Sequence, residues 1–250
     1  MDVKTKYRFV KPTIEIDRYV FGFSQLDHIA DLDGSVIIPN GMIDMMFCKT
    51  LNGKFMVGLI GLETQPKLIP VQSIERFFCV SFKPLGLDYI LKKSIADLVN
   101  GGMHLPMDFW NINEDNLADF NSFCHQITEK IKALIPQKLD ERKVELFNYI
   151  YKNKGEVSIH ELSEKIFWSE RQINRYFKQL LGISLKSYCN ILRFQASLKH
   201  IKDGELYPQL NYTDQSHFIK EIKKLSGVSP KVLFKNPDHR FLQFLVFDKD

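Results

Sequence analysis

Long apolar runs are missing. No stretch of the 250 residues approaches the roughly 18 consecutive apolar positions that a membrane span requires. The N-terminus, Met1 to Lys11, is charged and carries no apolar secretory segment, so a cytoplasmic protein without membrane attachment is expected. Cysteine is scarce: Cys48, Cys79, Cys124 and Cys189 lie far apart and form no C-x-x-C pair. That excludes a zinc cluster or disulfide framework as the organising feature and predicts buried, reduced thiols. A metal-dependent cupin would show closely spaced His-x-His and Glu ligands on its strands. Here His28 and His104 are isolated and lie outside the apolar runs. There is also no glycine-rich phosphate loop, no G-x-S-x-G and no cysteine flanked by basic neighbours. No catalytic residue, metal or cofactor is expected, and the chain does not read as an enzyme.

What is present is an ordinary globular composition, 44% hydrophobic and 26% charged, over a length suited to two domains. The net charge of +4 is unevenly spread: residues 138–236 carry 18 Lys and Arg against 11 Asp and Glu. That distribution is expected if the second part faces a polyanion, although on charge alone a basic solvated surface is the better reading.

From Tyr7 to about Phe82, short apolar and β-branched runs such as Tyr19-Val20-Phe21, Ser35-Val36-Ile37-Ile38, Met45-Met46-Phe47, Phe55-Met56-Val57 and Phe77-Phe78-Cys79-Val80 are separated by Asp33-Gly34, Asn40-Gly41 and Asn52-Gly53. Such dipeptides supply the positive φ that tight hairpins need, so a small antiparallel barrel or sandwich is predicted. After Lys83-Pro84-Leu85-Gly86 the period changes, and Leu87, Ile90, Leu91, Ile95, Leu98 and Val99 fall on one helical face. A second helix is predicted from about Asp115 to Leu134. Its apolar positions Leu117, Phe120, Cys124, Ile127, Ile131 and Leu134 alternate steps of three and four, a heptad seam suited to a partner helix and so to a homodimer. Packing on its own β domain is the alternative.

Ile135-Pro136-Gln137-Lys138 breaks the helical pattern where the basic charge begins. The predicted organisation is therefore a sensor-like or dimerisation domain at 1–137, a helical domain at 138–236 and a tail at 237–250. The fold class is α+β in two domains, an antiparallel barrel or sandwich with helices followed by an all-α domain.

In the second domain Ser158-Ile159-His160-Glu161 is a capping box that starts one helix, and Ser169-Glu170-Arg171-Gln172 starts another after a short turn through Phe167-Trp168. Two helices joined by a tight turn make a helix-turn-helix. On the second of them Ile173, Tyr176, Phe177, Leu180 and Leu181 form the buried stripe, leaving Arg171, Gln172, Asn174, Arg175, Lys178 and Gln179 outward. Guanidinium and amide groups match the acceptor and donor patterns of guanine and adenine in the major groove. Gly182 stands where a left-handed helix cap is wanted. The pattern recurs: Thr213 to Leu225 again places a cap before an amphipathic helix with Phe218, Ile222 and Leu225 inward. Ser226-Gly227-Val228-Ser229-Pro230 then parallels Leu181-Gly182-Ile183-Ser184-Leu185, and a long helix from about Leu185 to Ile201 bridges the two units.

The segments Ser169 to Ser187 and Tyr212 to Pro230, with Arg193 and Ala196 on the bridging helix, resemble the DNA-binding domain of the AraC/XylS family of bacterial transcription regulators. The resemblance covers about Leu139 to Asn236. It implies that each unit places its second helix in successive major grooves about 34 Å apart. It matches Arg171, Asn174 and Arg175 to the base-reading residues of the first unit and Gln215, Ser216, His217 and Lys220 to those of the second. Gln172, Lys178, Lys186, Lys223 and Lys224 are the expected phosphate contacts. The sequence departs from the family at Leu185, which replaces a usual proline, and at Gly204 to Asn211, which is short for a scaffold helix, contains Pro208 and has Asn211 in place of a glycine. Val36-Ile37-Ile38-Pro39-Asn40-Gly41 leading to Asp44, with Phe82-Lys83-Pro84-Leu85-Gly86, is similar to the sensor-like N-terminal domains of some family members, cupin-like barrels in better-known relatives.

The function expected is sequence-specific binding of double-stranded DNA by a transcription regulator, controlled through its N-terminal domain by a small effector or by dimerisation. RNA polymerase is a further partner such a regulator could meet. The alternative is a cupin-like small-molecule-binding or metal enzyme domain fused to a helical protein-interaction module. Residues from about Lys138 onward are expected to fold by themselves.

Overall fold

The computed structural model describes residues 6–27, 34–68, 74–236 and 241. His28, Asp33 and the 237–250 tail apart from Phe241 lie outside them. The first half is built on a six-stranded antiparallel sheet of β1 (Lys6–Val10), β2 (Val20–Asp27), β7 (Ile74–Phe82), β4 (Ile43–Thr50), β5 (Phe55–Ile60) and β8 (Gly102–Leu105), in that order. A separate pair, β3 (Val36–Ile37) with β6 (Lys67–Leu68), makes a second small sheet. Burial in the large sheet alternates with period two along β4. In β4, Ile43, Met45 and Phe47 are fully buried while Asp44 and Met46 point to the other face. Of the three expected hairpin dipeptides, Asn52-Gly53 does join paired neighbours, β4 and β5, with Gly53 at φ 76°. Asn40-Gly41 instead carries the chain from one sheet to the other.

The segment expected to be one helix after Lys83 is broken. A turn of α1 (Pro84–Gly86) runs into a π-helical stretch at Leu87–Leu91, ends on left-handed Lys92 and resumes as a 3-10 turn at Ala96–Leu98. Ile95 is fully buried between these pieces, so the apolar spacing reflects burial and not a continuous helix. Likewise the helix expected from Asp115 begins later. A 3-10 turn covers Glu114–Leu117, and α2 (Phe120–Leu134) starts where Asp119 caps the Ser122 N–H at 2.9 Å.

The heptad seam does not face a second copy. Leu117, Phe120, Cys124, Ile127 and Ile131 are between 0% and 8% exposed, and Leu134 packs beside them. The rings explain the preference: Phe78 on β7 meets Phe120 and Phe123 at 5.0 and 5.1 Å, and Phe47 on β4 meets Phe123 at 5.3 Å. An antiparallel sheet leaves one apolar face to be covered, and α2 covers it.

The second half contains α3 (Glu141–Lys152), α4 (Ile159–Ile166), α5 (Glu170–Leu181), α6 (Leu185–Lys202), α7 (Gln215–Ser226) and α8 (Pro230–Lys235). Its buried residues are continuous with those of the first half in one cluster. The Tyr188 hydroxyl on α6 donates to the Gly41 carbonyl at 3.2 Å, Gln195 on α6 bonds the Pro39 carbonyl, and the Asp140 N–H donates to the Tyr89 hydroxyl at 3.0 Å. Phe241, from the expected tail, is buried and forms a parallel bridge with Val36. All four cysteines are free and buried, and burial pushes the thiols of Cys48, Cys124 and Cys189 up to about 12.

Because Ile127 is fully buried under the sheet, Ile127→Asp should cost roughly 4 kcal/mol of folding stability through an unpaired buried carboxylate. Urea unfolding should shift to a much lower midpoint. A variant with the wild-type midpoint but a smaller sedimentation coefficient would restore the seam as an interface between copies.

Candidate nucleic-acid interface

The first unit is held by two caps. Ser158 accepts from the Glu161 N–H at 3.1 Å to start α4; the Glu161 carboxylate is taken by the Tyr149 hydroxyl, so only half of the expected capping box forms there. At α5 both halves form: Ser169 accepts from the Gln172 N–H at 3.3 Å, and the Gln172 side-chain oxygen accepts from the Ser169 N–H at 2.9 Å. Phe167 makes the turn between the helices in a left-handed conformation, φ 55°, with its ring exposed.

Ile173, Phe177, Leu180 and Leu181 bury one side of α5, and Tyr176 is half-buried. Phe147 on α3 lies against Phe177 at 5.7 Å and Tyr176 at 6.2 Å. Arg171, Arg175 and Lys178 are exposed and Asn174 is half-exposed. None of the four side chains has a hydrogen bond or ion pair among the described residues. Three unpaired cations and an amide on one helix face form a surface that can pair with an anion without breaking a contact inside the fold. Gln172 is exposed too, but its carbonyl is spent on the cap, which leaves only its NH₂ for a phosphate.

The C-terminal end of α5 is finished by the first half of the chain. Ser94 Oγ donates to the Gln179 carbonyl at 2.6 Å and the Ile95 N–H to the Leu180 carbonyl at 3.0 Å, so carbonyls that a helix end leaves open find donors from another part of the fold. Gly182 closes the helix at φ 76°, with room for no side chain: a Cβ would lie 2.5 Å from the Ala96 carbonyl. Asp88 adds a polar clasp, accepting from the Tyr176 hydroxyl at 2.8 Å and from Lys143 Nζ at 2.7 Å. Burial and the adjacent Asp88 push the Tyr176 phenol up, which keeps it a neutral donor.

The second unit keeps its outer helix and loses its scaffold. Residues 203–214 contain no helix, consistent with the short stretch around Pro208, which has no N–H to give a helix interior. Asp214 caps α7 by accepting from the His217 N–H at 2.7 Å, and Phe218, Ile222 and Leu225 are buried. Support comes from Tyr212, whose ring meets Phe218 at 5.1 Å and His217 at 5.7 Å and whose hydroxyl shares a 3.0 Å bond with Ser197 on α6. Arg193 on α6 donates to the Asn211 carbonyl at 3.0 Å and lies over the Tyr212 ring at 5.6 Å, while Glu156 takes the Asn211 N–H. This clamp was not visible in the sequence, beyond the matched Arg193 itself.

The four residues matched to base reading in the second unit therefore divide. Gln215 donates its amide to the Leu206 carbonyl at 2.9 Å, and His217 accepts the Thr213 N–H on Nδ1 at 3.1 Å; both are engaged within the chain. Ser216 and Lys220 remain exposed. Of the expected phosphate contacts, Lys178, Lys186 and Lys223 are exposed without partners among the described residues, and Lys224 lies 3.9 Å from Glu221.

One helix-turn-helix, α4 with α5, is joined through the long α6 to a second amphipathic helix, α7, and both α5 and α7 end on a left-handed glycine, which defines a helix-turn-helix protein with a reduced second unit. Residues 162–236 match the family described as a helix-turn-helix domain. An uncharacterized HTH-type transcriptional regulator of Bacillus subtilis (strain 168), YtdP, is 21% identical over 116 residues, 44% of this chain and 15% of that protein. The match thus spans less than a fifth of the relative's length. Among solved structures, ToxT from Vibrio cholerae superimposes with a TM-score of 0.43 at 13% identity, over 92% of this chain and 97% of that one. ToxT from Vibrio cholerae O395 gives 0.42 at 11% identity, over 94% and 98%.

Tyr212→Ala should cost on the order of 2 kcal/mol, less than a full core truncation because the ring is only partly buried. Amide exchange should accelerate in α7 and stay slow in α5. Equal acceleration in both helices would mean that the clamp is not local to the second unit.

Proposed function

We infer that the protein is a transcription regulator that binds double-stranded DNA, reading sequence chiefly through α5 and holding the duplex with α7. The observation that carries this reading is the outward face of α5, where Arg171, Asn174, Arg175 and Lys178 stand together without partners on a helix capped at both ends. Arg171, Asn174 and Arg175 occupy its N-terminal half and suit base edges; Lys178, further along, suits phosphate. In the second unit Ser216 and Lys220 are the groups left to reach DNA, with Lys223 and Lys224 beside them and Lys186 on the bridging helix. The protein acts by binding and not by catalysis, in the cytoplasm where the DNA is; no helix among the described residues is long and apolar enough to cross a membrane. RNA polymerase is the second macromolecule such a regulator would meet. A homodimer through α2 is not part of the reading, since that surface is spent inside the chain.

Control by a small effector is supported by a cleft of about 780 Å³ whose walls come from both halves of the chain. Arg18, Lys83, Lys152 and Lys154 line it together with apolar Phe21 and Leu192. Lys83 Nζ has the Asp17 carbonyl at 2.6 Å and the Tyr151 ring at 5.6 Å, and burial lowers its pKa. A half-buried ammonium with these partners suits an organic anion with an apolar body. Thermal-shift screening of aliphatic and aromatic carboxylates and nucleoside monophosphates should find a stabilising anion whose effect is lost in Lys83→Gln; stabilisation that survives in Lys83→Gln would place the effector elsewhere.

The test of the DNA reading is selection of a binding site by the full chain, followed by titration of variants on that site and on a scrambled duplex. Arg175→Ala should lose about 1–3 kcal/mol on the selected site and flatten discrimination at one or two base pairs. Lys178→Ala should weaken both duplexes equally, and Gln215→Ala should leave the ratio near wild type because its amide is already bonded within the chain. An unchanged ratio for Arg175→Ala would remove α5 as the reading helix.

A further inference from the structure

We propose that the Lys92-Lys93 turn of the first half is a phosphate-contacting wing of the DNA interface, seated beside the C-terminal end of α5. The proposal rests on the DNA-binding reading above and extends the interface outside the helix-turn-helix region.

The turn is fixed to the recognition helix. Ser94 and Ile95, the two residues after the lysines, bond the Gln179 and Leu180 carbonyls in the last turn of α5, and Ala96 and Val99 close on Gly182. The two lysines therefore move with α5 as one body. Their place also suits the dimensions of the groove. A helix of 12 residues is about 18 Å long, whereas the major groove is about 12 Å wide, so a helix whose N-terminal half reaches base edges leaves its C-terminal end near the flanking phosphates.

The backbone at Lys92 supplies an independent observation. It adopts φ 49° and ψ 44°, a left-handed conformation in which glycine or asparagine is the favoured residue. The Lys92 N–H closes the preceding helical stretch on the Leu87 carbonyl, and the Lys93 N–H reaches the same carbonyl at 3.3 Å, which fixes the turn. Both side chains are exposed, and neither ammonium has a hydrogen bond or ion pair among the described residues, so both are available to an anion outside the fold. The charges around it agree. Lys178 near the same end of α5 and Lys186 in the first turn of α6 are also exposed with side chains that have no partner among the described residues, so the turn adds to the free cations that these elements carry. Of the carboxylates on this segment, Asp88 is occupied by Lys143 and Tyr176, and Asp97 is exposed. Duplex DNA, with its regularly spaced phosphates, is the partner that these cations fit.

The experiment uses the full chain carrying Lys92→Asn with Lys93→Gln, which removes both charges and keeps a residue type that tolerates the left-handed turn. Binding to the selected site and to a scrambled duplex is measured across a series of salt concentrations. The plot of log affinity against log salt should become shallower by about one to two, since each lost phosphate contact removes about 0.9 from the slope, and the ratio of specific to non-specific affinity should stay at its wild-type value. A charge-matched control, Lys54→Gln in the β4–β5 turn with Lys130→Gln on α2, should leave the slope unchanged. An unaltered slope in the wing variant, or an equal change in the control, overturns the proposal. If at the same time Arg175→Ala lowers specific binding, only the wing is lost; if Arg175→Ala is silent as well, the DNA reading falls with it.

Discussion

A helix that presents one face to a partner must still satisfy its own ends, and in α5 the two ends are satisfied by different parts of the chain. Ser169 and Gln172 close the N-terminus locally, while Ser94 and Ile95, more than eighty residues earlier, close the C-terminus. Gly182 permits that approach because any side chain would collide with Ala96. The broken helix after Lys83 delivers Ser94 and Ile95 to this junction, and the Asp88 clasp fastens the delivering segment to α3 and α5. The orientation of the exposed cations is thus set by the sheet half as much as by the helical half.

The same dependence revises the expectation that residues from about Lys138 onward are self-contained. Their caps and apolar stripes are internal, but Tyr188, Ile191 and Leu192 on α6 close on Gly41, and one cluster of buried residues runs through both halves. A boundary drawn at the break in helical period marks a change of secondary structure and not a break in the core. The cleft that suits an effector lies along this junction, so a bound molecule would touch α6, the helix that spaces the two units.

What could be read from the sequence divides along physical lines. Local signals were sufficient where the cause is local: the Ser169–Gln172 capping box, the Gly182 and Gly227 caps and the stripe from Ile173 to Leu181 appear as expected. The strand at Met45-Met46-Phe47 and the Asn52-Gly53 hairpin were likewise legible. Signals failed where two partners can satisfy one pattern. The spacing from Leu117 to Leu134 is equally good for a second copy and for a sheet, and only the positions of Phe47 and Phe78 decide it. Leu87 to Val99 has helical spacing, but burial of Ile95 in a break produces the same spacing. In the second unit, matching by position could not reveal that Gln215 and His217 are taken up by the loop before them, since that loop is shorter than the pattern from which the match was made.

The exposed face of α5, held in place by the first half of the chain, is the surface proposed to meet DNA. Hydrogen–deuterium exchange of the full chain, with and without a duplex carrying its selected site, tests it most directly. Slowed exchange is predicted in residues 169–179 and at the start of α6, with a smaller effect at the start of α7 and none in α2. Slowing confined to α2 or to the sheet, with α5 unchanged, would contradict it.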